Sequence, residues 1–383
     1  MAKSLAVGII GAGNISTTYL KLAPLFKGID VRVIADLDAA ASQRRAAEYR
    51  IESRSVDALL ASDDIDLIVN LTVPDAHFDV SKQILSAGKH LYSEKPLTLS
   101  LKDGLELQKL AEKKGLRAGC APDTFLGGAH QLARKLVDDG EVGTITSGTA
   151  HVLSHGMEHW HPNPDFFFRP GGGPILDLGP YYIANLINLI GPVRRVAALT
   201  SMASLTRTIS SLPRRGEVIN VSTPTTIQAL LEFESGATVT LSASWDVWAH
   251  HHPNMELYGT DGSIFLPDPN FFGGEVKLAR PGKKARPVKA WAHPFGIANQ
   301  KHSAGMMANY RTAGLADMAL AIIDGRDIRC SLERALHGVD VMVSILRSGE
   351  EKKFIDIKTR CTRAEALGIR EARSLLKKQL LPA

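Results

Sequence analysis

The feature that most restricts how this chain folds is the alternation of its first third. Short apolar or β-branched runs at Leu5–Ile10, Asp30–Asp36, Ile65–Leu71, His90–Ser93 and Leu116–Cys120 read as strands. Between them, Thr17–Leu22, Ala39–Tyr49, Val56–Ala61, Phe78–Ala87 and Leu101–Lys114 carry helical patterns. Strands that alternate with helices predict a parallel, doubly wound sheet with helices on both faces. Sheets of this kind bind ligands in the crevice beyond the C-terminal ends of their strands.

The first strand runs into Gly11-Ala-Gly13-Asn14-Ile15-Ser16, which is G-x-G-x-x-G with serine in the third place. Gly11 allows the tight turn, and Gly13 lets a pyrophosphate approach backbone N–H groups at the helix N-terminus. A small serine in the third place still permits close helix–strand packing. The second strand ends in Asp36, 25 residues past Gly11. A carboxylate there accepts both ribose hydroxyls of an adenosine and repels a 2′-phosphate. No arginine follows until Arg44, so the pattern points to NAD rather than NADP. The plainer reading of Asp36 is an N-cap for the helix at Ala39–Tyr49.

Glu94, Lys95 and Pro96 end the fourth strand on the same edge as the glycine turn. Proline leaves the strand because it has no N–H for the ladder, and a Lys–Pro bond adopts cis at modest cost. An acid and a base there face the crevice; alone, they read equally well as a solvated turn. After Pro122-Asp123-Thr124 and a helix at Leu126–Val137 the periodicity changes. Thr144–Leu153, Val193–Leu199, Thr225–Glu234, Thr238–Trp248, Met255–Gly259 and Ser263–Leu266 predict a wide, mostly antiparallel sheet.

Phe168-Arg169-Pro170-Gly171-Gly172-Gly173 leads to Asp177 and Tyr181, four residues apart and on one face if the helix at Tyr182–Ile190 begins early. Asp177 alone reads as that helix's cap, and Arg169 as half of a surface ion pair. The loop His155–Pro164 holds three histidines and Trp160. Its glycine and prolines argue against a helix that would bring His155 and His159 together on a metal. Hydrogen-bonding groups and an indole suit a sugar-like ligand better. Residues 203–224 show no core pattern and read as a surface excursion, and Ala308–Ile323 and Leu332–Leu346 as amphipathic helices.

Charge and cysteines set the remaining bounds. Residues 347–383 hold ten Lys/Arg and five Asp/Glu, which accounts for the whole net charge of +5 and leaves the rest neutral. A neutral body with one basic helix, expected over Thr362–Leu381, gives no nucleic-acid groove. Three scattered cysteines (Cys120, Cys330, Cys361) make no disulfide framework or zinc site. Leu5–Ile10 is needed as a strand and is too short for a signal peptide, and no stretch nears the ~18 apolar residues of a membrane helix. A reducing, cytoplasmic setting is expected.

Together GIIGAGNIS, NLTVPDAHFDV, SAGKHLYSEKP and GGGPILDLG resemble the Gfo/Idh/MocA family of nicotinamide-dependent oxidoreductases, which includes glucose–fructose oxidoreductase and inositol dehydrogenase. The resemblance implies an α/β architecture: a Rossmann domain over 1–122, a substrate and oligomerisation domain over 123–350, and a terminal strand with a basic extension over 351–383. It implies NAD contacts at Gly11, Gly13, Asn14, Ile15, Asp36, Thr72, Pro74, His77, Glu94, Lys95 and Arg169. It also implies a catalytic set of Lys95 and Asp177. The family has a histidine four residues after that aspartate where this chain has Tyr181, so Tyr181 becomes the candidate proton acceptor. Thr124, His155 and Trp160 are candidates for lining the substrate, with Lys95, Asp177 and Tyr181. The implied activity is oxidation of a secondary alcohol of a sugar, sugar acid or cyclitol in a homodimer or homotetramer built through the open sheet. The alternatives are a redox-neutral lyase or glycosidase with NAD retained, and a sensor without turnover. Lys95 and Asp177 favour catalysis over sensing.

Overall fold

The computed structural model describes residues 3–302 and 305–377. In the first part, β1 (Leu5–Ile10), α1 (Asn14–Leu22), β2 (Ile29–Ala35), α2 (Ala39–Tyr49), β3 (Glu52–Ser53), α3 (Val56–Leu60) and β4 (Leu67–Asn70) come in turn. They continue into α4 (His77–Ser86), β5 (His90–Ser93), α5 (Leu101–Lys114) and β6 (Ala118–Cys120). All six strands pair in parallel in the order β3-β2-β1-β4-β5-β6. The order reverses between β1 and β4, which opens a crevice at their C-terminal ends. Helices cover both faces, so all four residues of β4 are buried.

The local sequence sets the element ends. Ser100 caps α5 by accepting from Asp103 N at 3.1 Å, and Gly115 ends it at φ +64. Asp38, not Asp36, caps α2 by accepting from Ala40 N and Ala41 N. Asp36 instead reaches back to the glycine turn. Gly11 has φ +111, and a Cβ there would lie 2.5 Å from Leu71 O, so only glycine fits.

The second part contains α6 (Gly128–Asp138), β7 (Ile145–Leu153), α7 (Pro174–Asp177), α8 (Gly179–Ile190), β8 (Val193–Ser201), β9 (Thr206–Thr208) and β10 (Val218–Asn220). Next come β11 (Thr226–Phe233), β12 (Thr238–Ser244), β13 (Met255–Gly259), β14 (Ser263–Leu266), β15 (Lys277–Ala279) and β16 (Arg286–Pro287). The described chain ends with β17 (Gln300–His302), β18 (Gly305–Met307), α9 (Ala313–Asp324), α10 (Leu332–Glu351), β19 (Ile355–Asp356) and α11 (Ile369–Leu375). A nine-stranded sheet runs β16-β15-β14-β13-β7-β12-β11-β8-β19, antiparallel except where β12 pairs with β7. Its inner face packs Val196, Leu231 and Leu241 with Ile183 and Leu186 of α8 and Met342 and Ile345 of α10. Each such fully buried aliphatic contributes roughly 1.5–3 kcal/mol. On the outer face Leu199 and Leu230 remain 69% and 52% exposed.

Three expectations need correction. Residues 203–224 are not a loose excursion: β9 and β10 pair as a hairpin, and Ile209, Ile219 and Val221 are buried with Phe167, Phe168 and Trp245. Three scattered apolar positions about a short hairpin carry no periodic signal, so the pattern was invisible. The helix expected from Ala308 starts at Ala313, after Thr312 at φ +116. The basic helix expected over Thr362–Leu381 is only α11, and residues beyond 377 lie outside the described residues. Its backbone returns to the first sheet's side, with Lys27 N donating to Leu375 O at 2.8 Å and Lys377 N to Leu25 O at 2.9 Å. Among the described residues, no helix is long and apolar enough to cross a membrane.

Candidate active site

The end of β5 delivers Glu94 and Lys95 to the crevice. Glu94 is buried; its Oε1 accepts from the Tyr19 hydroxyl at 2.9 Å and its Oε2 from Lys95 N at 3.0 Å. The Lys95–Pro96 bond is cis. The Lys95 ammonium donates to Asp177 Oδ1 at 2.8 Å and to Asp177 O at 2.7 Å, with the two side chains 16% and 19% exposed. Burial works against the lysine's charge. Asp177, Tyr181 and Glu94 outweigh it and hold the ammonium above the ordinary lysine range. The charged ammonium is thus held as a donor to Asp177.

The geometry at Asp177 also corrects the expected helix. Asp177 does not open α8; it closes the short helix α7, and Leu178 joins the two. Pro180 in the first turn of α8 needs no N–H partner there. The break still leaves Asp177 and Tyr181 on the same lysine, whose Nζ lies 5.2 Å from the Tyr181 ring centroid. A second cation covers that ring: Arg311 Cζ is 5.7 Å from its centroid. Arg311 sits just before Thr312, whose N–H, with that of Gly314, donates to buried Asp123 Oδ2 at 3.0 and 2.9 Å. Burial pushes the Asp123 carboxyl up to about 6, against the pull of those two N–H groups. Arg311 went unnoticed in the sequence because a single arginine before an apolar helix has no motif.

The other sequence candidates fall into two groups. Near the crevice, Thr72 is held by Asn70 Oδ1, and the His77 ring lies between Pro96 O (2.6 Å) and Thr72 O (3.0 Å). Burial pushes that imidazole below its usual range against the pull of the two carbonyls, and the ring ties the Thr72 loop to the lysine's turn. Pro74 opens the turn before α4, and Asn14 and Ile15 begin α1 beside Gly13. Thr124 Oγ1 is buried without a partner among the described residues. Arg169 is 66% exposed and 3.9 Å from Asp165, an ion pair that the plainer reading expects.

His155 and Trp160 stand on the wall formed by the loop after β7. His155 stacks on Trp248 with centroids 3.2 Å apart, and Trp160 is 55% exposed beside His161. Burial pushes the His161 imidazole below its usual range, and the charge of Asp177 pulls weakly the other way. Nothing in the sequence distinguished it from His155. Among the described residues no cluster of three His, Cys, Asp or Glu side chains is arranged to hold a metal.

This wall is fastened by Arg207 on the hairpin. Its Nη1 donates to Glu158 Oε1 at 2.8 Å and His155 O at 3.3 Å, and its Nη2 donates to Trp245 O at 3.1 Å and pairs with Asp246. Ser211 Oγ adds a bond to His161 O at 2.6 Å. Arg207→Ala leaves buried Glu158 and half-buried Asp246 without their cation, so it is expected to destabilise the protein by about 3–5 kcal/mol. The same change should raise substrate KM while NADH affinity holds. Equal loss of both affinities in titration would show that the hairpin does not act locally.

Comparison with known proteins adds to this geometry. Residues 5–121 match the family model described as an oxidoreductase family with NAD-binding Rossmann fold, and residues 130–265 match the GFO/IDH/MocA C-terminal domain. An uncharacterized oxidoreductase of Schizosaccharomyces pombe (C115.03) is 30% identical over 42% of this chain, which spans about half (46%) of that relative's length. D-xylose dehydrogenase of Paenarthrobacter nicotinovorans is 24% identical over 89% of this chain and 88% of its own. Among solved structures, levoglucosan dehydrogenase in complex with NADH superposes with a TM-score of 0.79 at 20% identity, covering 93% of this chain and 100% of that one. At that identity the likeness is one of fold.

Proposed function

This chain belongs to the Gfo/Idh/MocA family of oxidoreductases, and from that we propose an NAD-dependent dehydrogenase that oxidises a secondary alcohol of a sugar, sugar acid or cyclitol. The observation that carries the reading is the half-buried Lys95–Asp177 pair beneath Tyr181, at the crevice mouth of a parallel sheet. The glycine turn fits a dinucleotide. A Cβ at Gly13 would meet nothing within 4 Å, so no packing demands glycine there, while a pyrophosphate does. NAD, when bound, supplies the hydride acceptor. Lys95 donates to the reacting oxygen and stabilises negative charge on it. Asp177 orients that ammonium, and Tyr181 takes the hydroxyl proton. A screen of pentoses, hexoses, inositols and sugar acids with NAD, read as reduced-nicotinamide absorbance, tests the reading. Net NADH accumulation separates it from a redox-neutral lyase and from a sensor.

Cofactor choice follows Asp36. Its Oδ2 accepts from Ala12 N at 2.6 Å and its Oδ1 from Asp38 N at 2.9 Å, which pins the carboxylate against the glycine turn. A 2′-phosphate brought there meets a fixed negative charge. The expected outcome is a clear preference for NAD that Asp36→Ser diminishes. Comparable kcat/KM with NADP in the unmodified protein would sink the prediction.

The outer face of the large sheet, with Leu199 and Leu230 exposed, supports assembly into a homodimer or homotetramer through that face. The three free, buried cysteines are compatible with a reducing, cytoplasmic setting.

A further inference from the structure

Resting on the dehydrogenase reading, we propose that the substrate carries a carboxylate and that Arg311 receives it, which makes the substrate class an aldonate or uronate. The crevice holds two cations facing Tyr181, and only one of them is matched. Lys95 is paired with Asp177 at 2.8 Å. Among the described residues, no carboxylate oxygen lies within 4.0 Å of the Arg311 guanidinium. Its hydrogen bonds go to neutral groups: Nη2 to Asn270 O at 2.9 Å and Oδ1 at 2.6 Å, and Nη1 to Asn309 Oδ1 at 3.5 Å. A guanidinium has five donors, so Nε–H and one Nη1–H are left for Tyr181 and for a ligand.

The acids nearby are engaged elsewhere. Asp123 Oδ2 accepts two backbone N–H groups, and Glu94 accepts from Tyr19 and from Lys95 N. Their fields favour the guanidinium from a distance without capping it. A largely buried cation without a contacting counterion is costly. This one is also held rigidly, because the next residue, Thr312, has a strained φ of +116 fixed by Asp123. A fixed, uncapped arginine over the face of the candidate proton acceptor is a receptor for an anionic group on the molecule that reacts there. Asp177 and Glu94 nearby disfavour a dianion, so a monoanionic carboxylate fits better than a phosphate.

The test is calorimetric titration of the NADH-loaded protein with D-gluconate and D-galacturonate, against D-glucose and D-galactose. The acids should bind roughly 10- to 100-fold tighter, the range of a charge-assisted hydrogen bond to a buried group. Arg311→Gln should shrink that acid-to-neutral ratio to within about threefold, and Arg311→Lys should keep part of it. NADH affinity in each variant reports folding, and the lysine variant serves where the glutamine variant fails to fold. A ratio near one in the unmodified protein, a ratio indifferent to both substitutions, or stronger binding of D-glucose 6-phosphate would overturn the proposal. Arg311-dependent binding of an acid that yields no NADH would defeat the dehydrogenase reading and leave the receptor standing. Turnover of neutral sugars with no acid preference would do the reverse.

Discussion

If Tyr181 is the proton acceptor proposed above, Tyr181→Phe is expected to lower the chemical rate by ~10²–10⁴ and to remove the rise of kcat/KM with pH that a base gives as it loses its own proton. A phenol left to itself is a poor base at neutral pH. Here two cations lie over the ring, Lys95 Nζ at 5.2 Å and Arg311 Cζ at 5.7 Å from its centroid. The rival acceptor Lys95 is weakened by its own surroundings, since Asp177 holds its proton in place. Tyr181→His should restore part of the rate with a shifted profile. A phenylalanine variant that loses only substrate affinity, with its pH profile unchanged, would reduce Tyr181 to a binding residue.

Lys95→Ala should lower turnover by on the order of 10²–10³, the usual effect of removing a donor from a developing oxyanion. Its position on a crevice turn predicts from sequence that the change spares folding, but the structure leads to a different expectation. Asp177 would be left without its cation at 19% exposure, and breaking a buried pair from one side typically costs about 3–5 kcal/mol. Lys95→Met combined with Asp177→Asn removes both charges together, so stability should recover while turnover stays lost. Near-normal turnover in the double variant would take Lys95 out of the mechanism. Continued instability there would mean that the turn needs the lysine for some reason other than charge.

The first sheet was almost fully legible in the sequence. His90–Ser93, Leu101–Lys114, Met255–Gly259 and Ser263–Leu266 lie where their patterns place them, because burial on one or two faces imposes a period that the residues must carry. The motif residues Gly11, Asp36, Lys95 and Asp177 were legible for a related reason: turn chemistry and strand ends are local. The hairpin at 206–220, by contrast, is held by Ile209 and Ile219 packing on Trp245, contacts remote along the chain that leave no periodicity.

What the sequence by itself determined is the pair of architectures, the dinucleotide turn and the family, since each rests on short-range spacing. Only the tertiary structure decided how the charges are matched. Lys95 and Asp177 are 82 residues apart, Arg311 comes from the entry to α9, and Arg207 clamps a loop some fifty residues before it. Whether a cation is paired, buried or left open depends on which side chains the fold brings within a few ångströms. No window of sequence contains that information, because the Coulomb and desolvation terms that settle it act through space and not along the chain.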